Sequence, residues 1–259
     1  MNYPKISIII PSYNKVNYIV NTLDSILLQN YPNLELIVQD GGSNDGTVEI
    51  VKKYVKKYPK IITMESKKDK GQVDAINKGI KKASGEIIGF INADDIYNKR
   101  AFFMVVKYFL LNPKALWFVG SGNIINEKGK EIAHPIKVYK DALLRINKYP
   151  LLLIVNYIIQ PAVFLSRKAY NRFGVFQGTT SFVVEYNSWL KIGKVQMPVV
   201  IPHQLASFRI SLGSISTTQL RDLLENDLKT VRKYTLNPII LFLHLIHNFG
   251  RLLLVNVYK

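Results

Sequence analysis

Two adjacent carboxylates, Asp94 and Asp95, follow the apolar run Ile87–Ile91, which predicts a short buried strand. Adjacent carboxylates repel each other, and they are costly at the lip of a buried strand unless a cation or hydrogen-bond donors compensate. Mg²⁺ and Mn²⁺ prefer oxygen ligands and often bridge a few carboxylates to a substrate's phosphates. We therefore expect a metal–diphosphate site at Asp94 and Asp95, with Asn92 close by. The alternative is a helix cap after the strand, because Asp is a favoured N-cap residue.

Strand and helix patterns alternate four times within the first hundred residues. This alternation predicts a parallel sheet with helices on both faces, and such sheets bind ligands at the carboxyl ends of their strands. Pro11 and Tyr13 follow the first strand, and Asp40 follows the second and opens the Gly-rich turn DGGSNDGT. We expect these residues and the acidic pair to converge on one crevice. Asp40 has an alternative role, because an Asx-type hydrogen bond would stabilise the turn without any ligand.

The second half of the chain has a less regular pattern. Helices are predicted at about residues 99–111, 141–147 and 185–192, and two strands flank a turn at 127–130. Residues 195–202 predict one strand, and residues 206–216 predict another that runs into a loop. Residues 151–174 are apolar but interrupted by polar residues and proline, which favours a core strand plus helix over a membrane span.

The last forty residues predict an amphipathic helix at 220–231 and a strongly apolar helix after Pro238. In the apolar helix the polar residues form one narrow stripe, which comprises His244, His247, Asn248 and Arg251. Such a helix either packs against a partner, including a second copy of the chain, or lies in a membrane interface. A true span is disfavoured because polar and charged residues interrupt the run.

Composition limits the classes of function. The chain has 259 residues, enough for one large α/β domain and a small appendage, and no cysteine, which excludes disulfides, thiolate chemistry and Cys-ligated metal sites. No signal peptide is visible, so we expect a cytoplasmic protein, peripheral at the inner face of the cell membrane if the last helix meets lipid. The net charge of +17 attracts nucleic acid, anionic membrane or anionic small molecules without choosing among them.

Four segments in order resemble the family 2 glycosyltransferases of the GT-A fold. They read SIIIPSYNK, LIVQDGGSNDGT, KDKGQVDAINKGIKKASGEIIGFINADD and QPAVFLSRKAYNRFGVF. The resemblance implies a Rossmann-like, mostly parallel sheet flanked by helices, in a domain over residues 1–215. Residues 1–100 would bind a nucleotide-sugar, 101–215 the acceptor, and 216–259 would form a C-terminal helical extension.

The resemblance also implies a role for individual residues. Pro11 and Tyr13 would line the base and ribose pocket, and Asp40 would bind the nucleobase, which is uracil in many members. Asp69, Gly71 and Asp74 would lie near the donor, together with Asn92 beside the acidic pair. Gln160 would lie near the donor sugar or the acceptor, and Arg209 would face the diphosphate. Asp94 and Asp95 match the family's metal-associated motif for Mn²⁺ or Mg²⁺, with Asp95 the more direct ligand. Asp74 has an even alternative as an ordinary first-turn helix acid.

The family's catalytic base lies in a segment that reads VEYNSWL here, which places Glu185 at the base position. Asn187 stands where a second acid is common, and Ser211 stands where members often carry histidine. The implied reaction is an inverting displacement that moves a sugar, most often from UDP, to a saccharide or polyprenyl-linked acceptor. A solvated helix-start role is the alternative for Glu185.

Two other functions fit parts of the sequence. A nucleotidyltransferase also binds nucleotide-sugars on a parallel sheet, but PSYNKVNY lacks the Gly-rich basic loop expected after its first strand. A nucleic-acid-binding module fits the charge, but no reader motif or basic groove with interleaved aromatics is visible.

Overall fold

A computed structural model describes residues 3–177, 184–210 and 220–255 of the chain. The described strands belong to one mixed sheet. They are β1 Ile6–Ser12, β2 Leu34–Asp40, β3 Ile62–Ser66, β4 Ile87–Phe90, β5 Ile96–Tyr97, β6 Trp117–Ile125, β7 Glu131–Ile132, β8 Val163–Ser166 and β9 Val199–Arg209. The helices are α1 Ile19–Leu27, α2 Thr47–Lys57, α3 Gln72–Lys82, α4 Ala101–Leu111, α5 His134–Ile146, α6 Tyr149–Ile154, α7 Arg167–Phe173, α8 Val184–Gly193, α9 Leu220–Arg232 and α10 Pro238–Val255.

The sheet has the strand order β3-β2-β1-β4-β8-β6-β9-β5, and β7 pairs with β6. The first four strands in this order are parallel, as the βα alternation predicts. β8 then runs antiparallel between β4 and β6, while β6 and β9 are parallel. The carboxyl ends of β1, β2, β3 and β4 therefore open on one edge of the sheet, where the site residues were expected.

Successive side chains of each strand point to opposite faces of the sheet, and helices cover both faces. Ile8 of β1 belongs to a cluster beneath α1, α2 and α4, whereas Ile9 belongs to a cluster beneath α3 and α6–α8. The second cluster also contains Val231 of α9 and is packed by Leu241 of α10. The C-terminal helices thus share the core of the domain.

Two predicted elements differ from the structure. The helix expected at 141–147 begins at His134, because Pro135 occupies its first turn, where a missing amide hydrogen costs nothing. The two strands expected at 195–202 and 206–216 are one strand over the described residues, β9, and residues 211–216 of the prediction lie outside the described residues. A register irregularity beside Ser121 of β6 accommodates Pro202 and the residues that follow it.

Candidate active site

The loops that follow β1 and β2, residues 13–16 and 41–47, are joined by four hydrogen bonds. Asn14 donates its main-chain amide to Ser43 Oγ at 2.8 Å, and its Oδ1 accepts the amide of Asn44 at 3.0 Å. The next two amides donate to side-chain oxygens of the second loop, in the pairs Lys15–Thr47 and Val16–Asp45. We call this arrangement the loop clasp. It fixes the two strand ends relative to each other.

Asp40 lies at the end of β2 and is 3% exposed. Its Oδ1 accepts the amides of Gly42 and Ser43 and the hydroxyl of Ser66, at 3.0, 2.9 and 2.7 Å. These bonds fit the turn-stabilising alternative. A small cavity nevertheless opens beside the carboxylate, and it is lined by Gln39, Asp40, Glu65, Lys67, Asp69, Ala75 and Lys78. The role of Asp40 toward a nucleobase stays a prediction.

Pro11 is buried within β1, whereas Tyr13, directly after the strand, is 60% exposed. Asp69 lies against the Gly-rich turn, because a Cβ on Gly41 would come within 2.9 Å of its Oδ2. The Oδ1 of Asp69 accepts the amide of Gly71 at 2.8 Å. Gly71 has φ of +106°, a value that favours glycine. Asp69 and Gly71 are therefore placed beside the turn that follows β2.

Asp74 lies in the first turn of α3. Its Oδ2 accepts Nζ of Lys78 at 2.8 Å and the amide of Lys70 at 3.1 Å. These two bonds lower the pKa of Asp74 below its ordinary value. This arrangement is the ordinary first-turn acid, and a ligand role for Asp74 stays a prediction.

Asp95 is the buried member of the acidic pair, at 1% exposure. Its Oδ1 accepts the amide of Arg209 at 2.7 Å, and its Oδ2 faces Nδ2 of Asn92 at 3.3 Å. Burial, together with the neighbouring Asp94 carboxylate, raises the pKa of Asp95 well above the ordinary value for aspartate.

Asp94 retains more exposure, with 13% of its side chain accessible, and forms an ion pair with Lys15. The Nζ of Lys15 lies 2.5 Å from Oδ2 of Asp94. Lys15 was missed as a site residue, although its place directly after the first strand and the SYN triplet was a usable signal. Its ammonium group supplies the compensating charge that the acidic pair requires.

Arg209 holds the acidic loop from the opposite side and is 4% exposed. Its Nε donates to the carbonyl of Asp94 at 2.7 Å, and its Nη1 donates to the carbonyls of Asn126 and Glu127 at 2.9 Å. The guanidinium lies over the ring of Tyr18, 5.2 Å from its centroid. These contacts make Arg209 a positioning residue for the loop, and the predicted diphosphate contact remains untested. Ser211 lies outside the described residues.

Gln160 lies beneath the acidic loop. Its Nε2 donates to the carbonyl of Phe90 at 2.8 Å, at the end of β4. Its Oε1 is buried and has no hydrogen-bond partner among the residues that the structure describes. Asn92 is held by a hydrogen bond from Gln72 at the start of α3. Gln160 and Asn92 therefore both lie at the carboxyl end of β4, and their roles toward a donor stay predictions.

Glu185 is the second residue of α8 and is partly buried. Burial raises the pKa of its carboxyl group to about 7. Asn187 points to a different partner, because its Oδ1 accepts the hydroxyl of Tyr234 at 2.9 Å. The Asn187 side chain therefore braces α8 against the segment just after α9.

A chain of aromatic rings links α8 to β4, the strand that precedes the acidic pair. Trp189 of α8 stacks on Trp117 at 5.6 Å and meets the edge of Phe176, which in turn meets Phe90 at 5.1 Å. Asn77 of α3 fixes Phe176 through two main-chain hydrogen bonds of 2.8 and 3.0 Å. Sequence reasoning missed Asn77, because its partner lies 99 residues away.

The sequence comparison with protein families decides the class of the protein. Residues 7–176 match the model described as glycosyl transferase family 2. The chain belongs to glycosyl transferase family 2. Membership of this family supports a transferase enzyme, as the four resembling segments predicted.

Curated relatives of this glycosyltransferase are also named glycosyltransferases or synthases. It is 29% identical over 214 residues to the uncharacterized glycosyltransferase RC0461 of Rickettsia conorii, covering 83% of this chain and 34% of that one. It is 33% identical over 123 residues to poly-beta-1,6-N-acetyl-D-glucosamine synthase of Staphylococcus epidermidis, covering 47% and 29% respectively. The chain thus spans about a third of the length of these two relatives.

Solved structures share the fold of this family 2 enzyme. Mannosyltransferase PcManGT from Pyrobaculum calidifontis, in complex with GDP-Man and Mn²⁺, has a TM-score of 0.74 at 19% identity, covering 99% of this chain and 74% of that chain. S. aureus TarS 1–349, in complex with UDP-GlcNAc, has a TM-score of 0.67 at 16% identity, covering 95% and 72%. The predicted α/β architecture of GT-A type is confirmed.

The residues at the acidic pair fit a hard divalent cation of the kind the fold implies. Within the described ranges no three His, Asp or Glu side chains converge, so the protein supplies a pair of carboxylates rather than a cage. Mg²⁺ and Mn²⁺ suit such a pair because they complete their coordination with substrate oxygens and water. Asp94 keeps 13% of its side chain accessible and Asp95 is 1% exposed, and the assignment of Asp95 as the more direct ligand stays a prediction.

Proposed function

We propose that this glycosyltransferase moves a sugar from a nucleoside diphosphate donor, a UDP-sugar, to an acceptor hydroxyl by single displacement with inversion. One observation carries the mechanism: Glu185 is a partly buried carboxyl group with a pKa of about 7. It lies on a helix that the aromatic chain connects to β4, the strand that precedes the loop bearing Asp94 and Asp95. A general base works best when its pKa is near the operating pH.

The donor would lie along the edge formed by the carboxyl ends of the parallel strands. The cavity beside Asp40 suits the nucleobase, with Pro11 and Tyr13 beside the ribose. PcManGT is described with GDP-Man and TarS with UDP-GlcNAc, which supports a nucleotide-sugar donor. Uracil is the narrower part of this proposal and rests on the resemblance of the first two motifs.

The diphosphate end would meet the acidic loop. Asp94 and Asp95 would hold Mn²⁺ or Mg²⁺, which when bound neutralises charge that develops on the departing diphosphate. The Nζ of Lys15 lies 2.5 Å from Oδ2 of Asp94 and would donate a hydrogen bond to a phosphate oxygen. Arg209 keeps the loop in place through the carbonyl of Asp94. Gln160, whose buried Oε1 has no partner among the described residues, would accept a hydrogen bond from a hydroxyl of the sugar or the acceptor.

The transfer step needs one base. The acceptor oxygen forms a bond to the anomeric carbon while the bond from that carbon to the diphosphate oxygen breaks. The acceptor proton moves to the Glu185 carboxylate, and the nucleoside diphosphate leaves. Attack from the face opposite the leaving group inverts the anomeric centre, and holding both substrates in line supplies much of the remaining acceleration.

The acceptor would be a saccharide, either polyprenyl-linked or part of a growing surface glycan. The relative from Staphylococcus epidermidis is named for synthesis of a polysaccharide, poly-beta-1,6-N-acetyl-D-glucosamine, which supports a saccharide acceptor.

A screen of nucleotide-sugars by thermal shift, with and without Mn²⁺, tests the proposal. We expect one UDP-sugar to raise the melting temperature only when the metal is present, and Asp94→Asn to abolish that metal-dependent shift. Glu185→Gln should keep the shift and lose transfer. Retained transfer by the Glu185 variant would place the base elsewhere, and the absence of any nucleotide-dependent shift would refute the donor class.

A further inference from the structure

Helix α10 buries polar side chains and exposes large apolar ones. Its polar stripe faces the protein, with His244 at 1% and Asn248 at 6% exposure. Its large apolar side chains face outward, with Phe242 and Phe249 each 62% exposed and Ile239 67% exposed. Burying polar groups and exposing apolar ones is the reverse of the usual surface helix.

Polar side chains of the inward stripe form hydrogen bonds and an ion pair with one another and with neighbouring helices. Nδ1 of His244 lies 3.0 Å from the carbonyl of Ile154 in α6, and its Nε2 lies 3.0 Å from Nδ2 of Asn248. One turn further on, Nη1 of Arg251 forms an ion pair of 2.9 Å with Asp227 of α9. These bonds fix the rotation of the helix, so the apolar face cannot turn inward without breaking them.

The outward face forms an apolar surface that the described part of the chain does not cover. We call it the α10 face, and each of its members is at least 40% exposed. Its members are Leu236, Ile239, Phe242, Leu243, Leu245, Ile246 and Phe249. Exposed apolar patches of this size mark interaction sites, because scattered single residues are normal and contiguous ones are not.

Basic residues lie next to the α10 face in the chain and on neighbouring elements. Lys229, Arg232 and Lys233 are exposed at the end of α9, which packs against α10. Arg145 and Lys148 are exposed where α5 gives way to α6, and α6 also packs against α10. These cations stand within a chain of net charge +17.

We propose that the α10 face lies in the interface of an anionic bilayer, parallel to the surface, with the flanking cations on the lipid headgroups. An apolar helix face of this kind buries its side chains at the headgroup–acyl boundary, and each nearby Lys or Arg adds electrostatic attraction. No helix among the described residues is long and apolar enough to cross a bilayer. The proposal stands on the packing of α10 and does not rest on the donor assignment.

Charge favours lipid over a second copy of the chain as the occupant. A symmetric pairing through the α10 face would bring two chains of charge +17 together. The basic residues at the end of α9 would then approach the same residues of the second copy. Like charges across an interface disfavour association, whereas an anionic leaflet neutralises them. A dimer through this face is therefore the competing outcome of the test.

The test uses the full chain, because truncation before α10 would remove Leu241 and the His244 contacts from the domain core. Phe242→Gln combined with Phe249→Gln removes two outward rings while leaving the inward stripe intact. The matched control is Leu110→Gln combined with Leu111→Gln, at side chains that are 60% and 66% exposed on α4. Helix α4 covers the cluster on the opposite face of the sheet from α10.

Flotation with vesicles of phosphatidylcholine, with and without phosphatidylglycerol, gives the measurement. We expect binding to the anionic vesicles that weakens as salt is raised, and a loss of at least about tenfold in partitioning for the phenylalanine pair, from the apolar area removed. The leucine control should partition like the unmodified protein.

Three results would overturn the proposal. The first is an absence of binding to anionic vesicles at low salt, and the second is an equal loss in the leucine control. The third is a dimer, seen by sedimentation velocity without lipid, that the phenylalanine pair abolishes. The nucleotide-dependent thermal shift, measured on the same variants, separates failure of this proposal from failure of the proposed transferase mechanism.

Discussion

Replacement of Glu185 by glutamine tests both the chemistry and the electrostatics of the proposed base. The substitution keeps the shape and length of the side chain but cannot take a proton. General-base catalysis contributes roughly 10²–10⁴-fold, so we expect kcat for transfer to fall by at least about a hundredfold. Donor binding, measured by thermal shift, should be retained, because the charge of Glu185 serves the acceptor and not the nucleotide.

The same substitution has a calculable effect on stability. Burial raises the pKa of Glu185 from 4.5 to about 7, so between these values the folded protein keeps a proton that the unfolded chain has lost. Stability therefore falls as pH rises through this window, and the loss is complete above about pH 7. At about 1.4 kcal/mol for each pH unit the loss is at most about 3 kcal/mol. Partial exposure of the side chain reduces it.

Urea unfolding at pH 5 and pH 8 measures this effect, with Glu49→Gln as the matched control. Glu49 is an exposed first-turn acid of α2, so the same chemical change there should leave the pH dependence unaltered. We expect Glu185→Gln to be more stable than the unmodified protein at pH 8 and to match it at pH 5. The pH–rate profile of the unmodified protein should rise through about pH 7.

Two outcomes would refute this reasoning. A variant that still transfers sugar with the same pH profile would show that another group takes the proton. A stability difference that is the same at pH 5 and pH 8 would show that the Glu185 carboxyl group does not titrate in an unusual range.

The remaining predictions concern neighbouring features of the site and core. Lys15→Met should tighten Mn²⁺ binding in the absence of nucleotide by up to about fivefold, because the metal no longer competes with the Lys15 ammonium for Asp94. A partly exposed ion pair of this kind is worth about 1 kcal/mol or less. Isothermal calorimetry measures the affinity, and weaker Mn²⁺ binding by the variant would contradict the prediction. Asn187→Asp should leave kcat within about twofold, because that side chain binds a tyrosine hydroxyl, and a large gain in kcat would restore a catalytic second acid. Gly79→Ala should destabilise the protein by about 1–3 kcal/mol in urea unfolding, because its Cβ would lie 2.4 Å from a methyl carbon of Ile9; an unchanged midpoint would mean that α3 shifts freely.

The first half of the fold was predictable because its signals are local. Strand β1 is a nearly continuous β-branched run, and Pro11 lies at its end. Helix α3 carries its apolar residues on one face. Each of these patterns is visible within ten residues, and the order of elements then fixes the parallel sheet. The antiparallel insertion of β8 between β4 and β6 was not predictable in this way, because pairing partners depend on contacts far apart in sequence.

The site was predictable to the same depth. Asp40, Asp94 and Asp95 were identified by their positions after buried strands, and the structure places them at one edge of the sheet. What each side chain contacts could not be read from the sequence. The partner of Lys15 lies 79 residues away, and that of Arg209 lies 115 residues away. Such long-range contacts leave no local signal in the sequence.

The loop clasp has a consequence for the energetics of recognition. Its four hydrogen bonds order residues 14–16 against residues 43–47 when the chain folds. The conformational entropy of these two loops is therefore lost at folding and not when a ligand binds beside them. A preorganised wall of this kind raises affinity for a rigid base without any additional contact. The amide protons of Lys15 and Val16 should then exchange slowly with solvent although they belong to a loop.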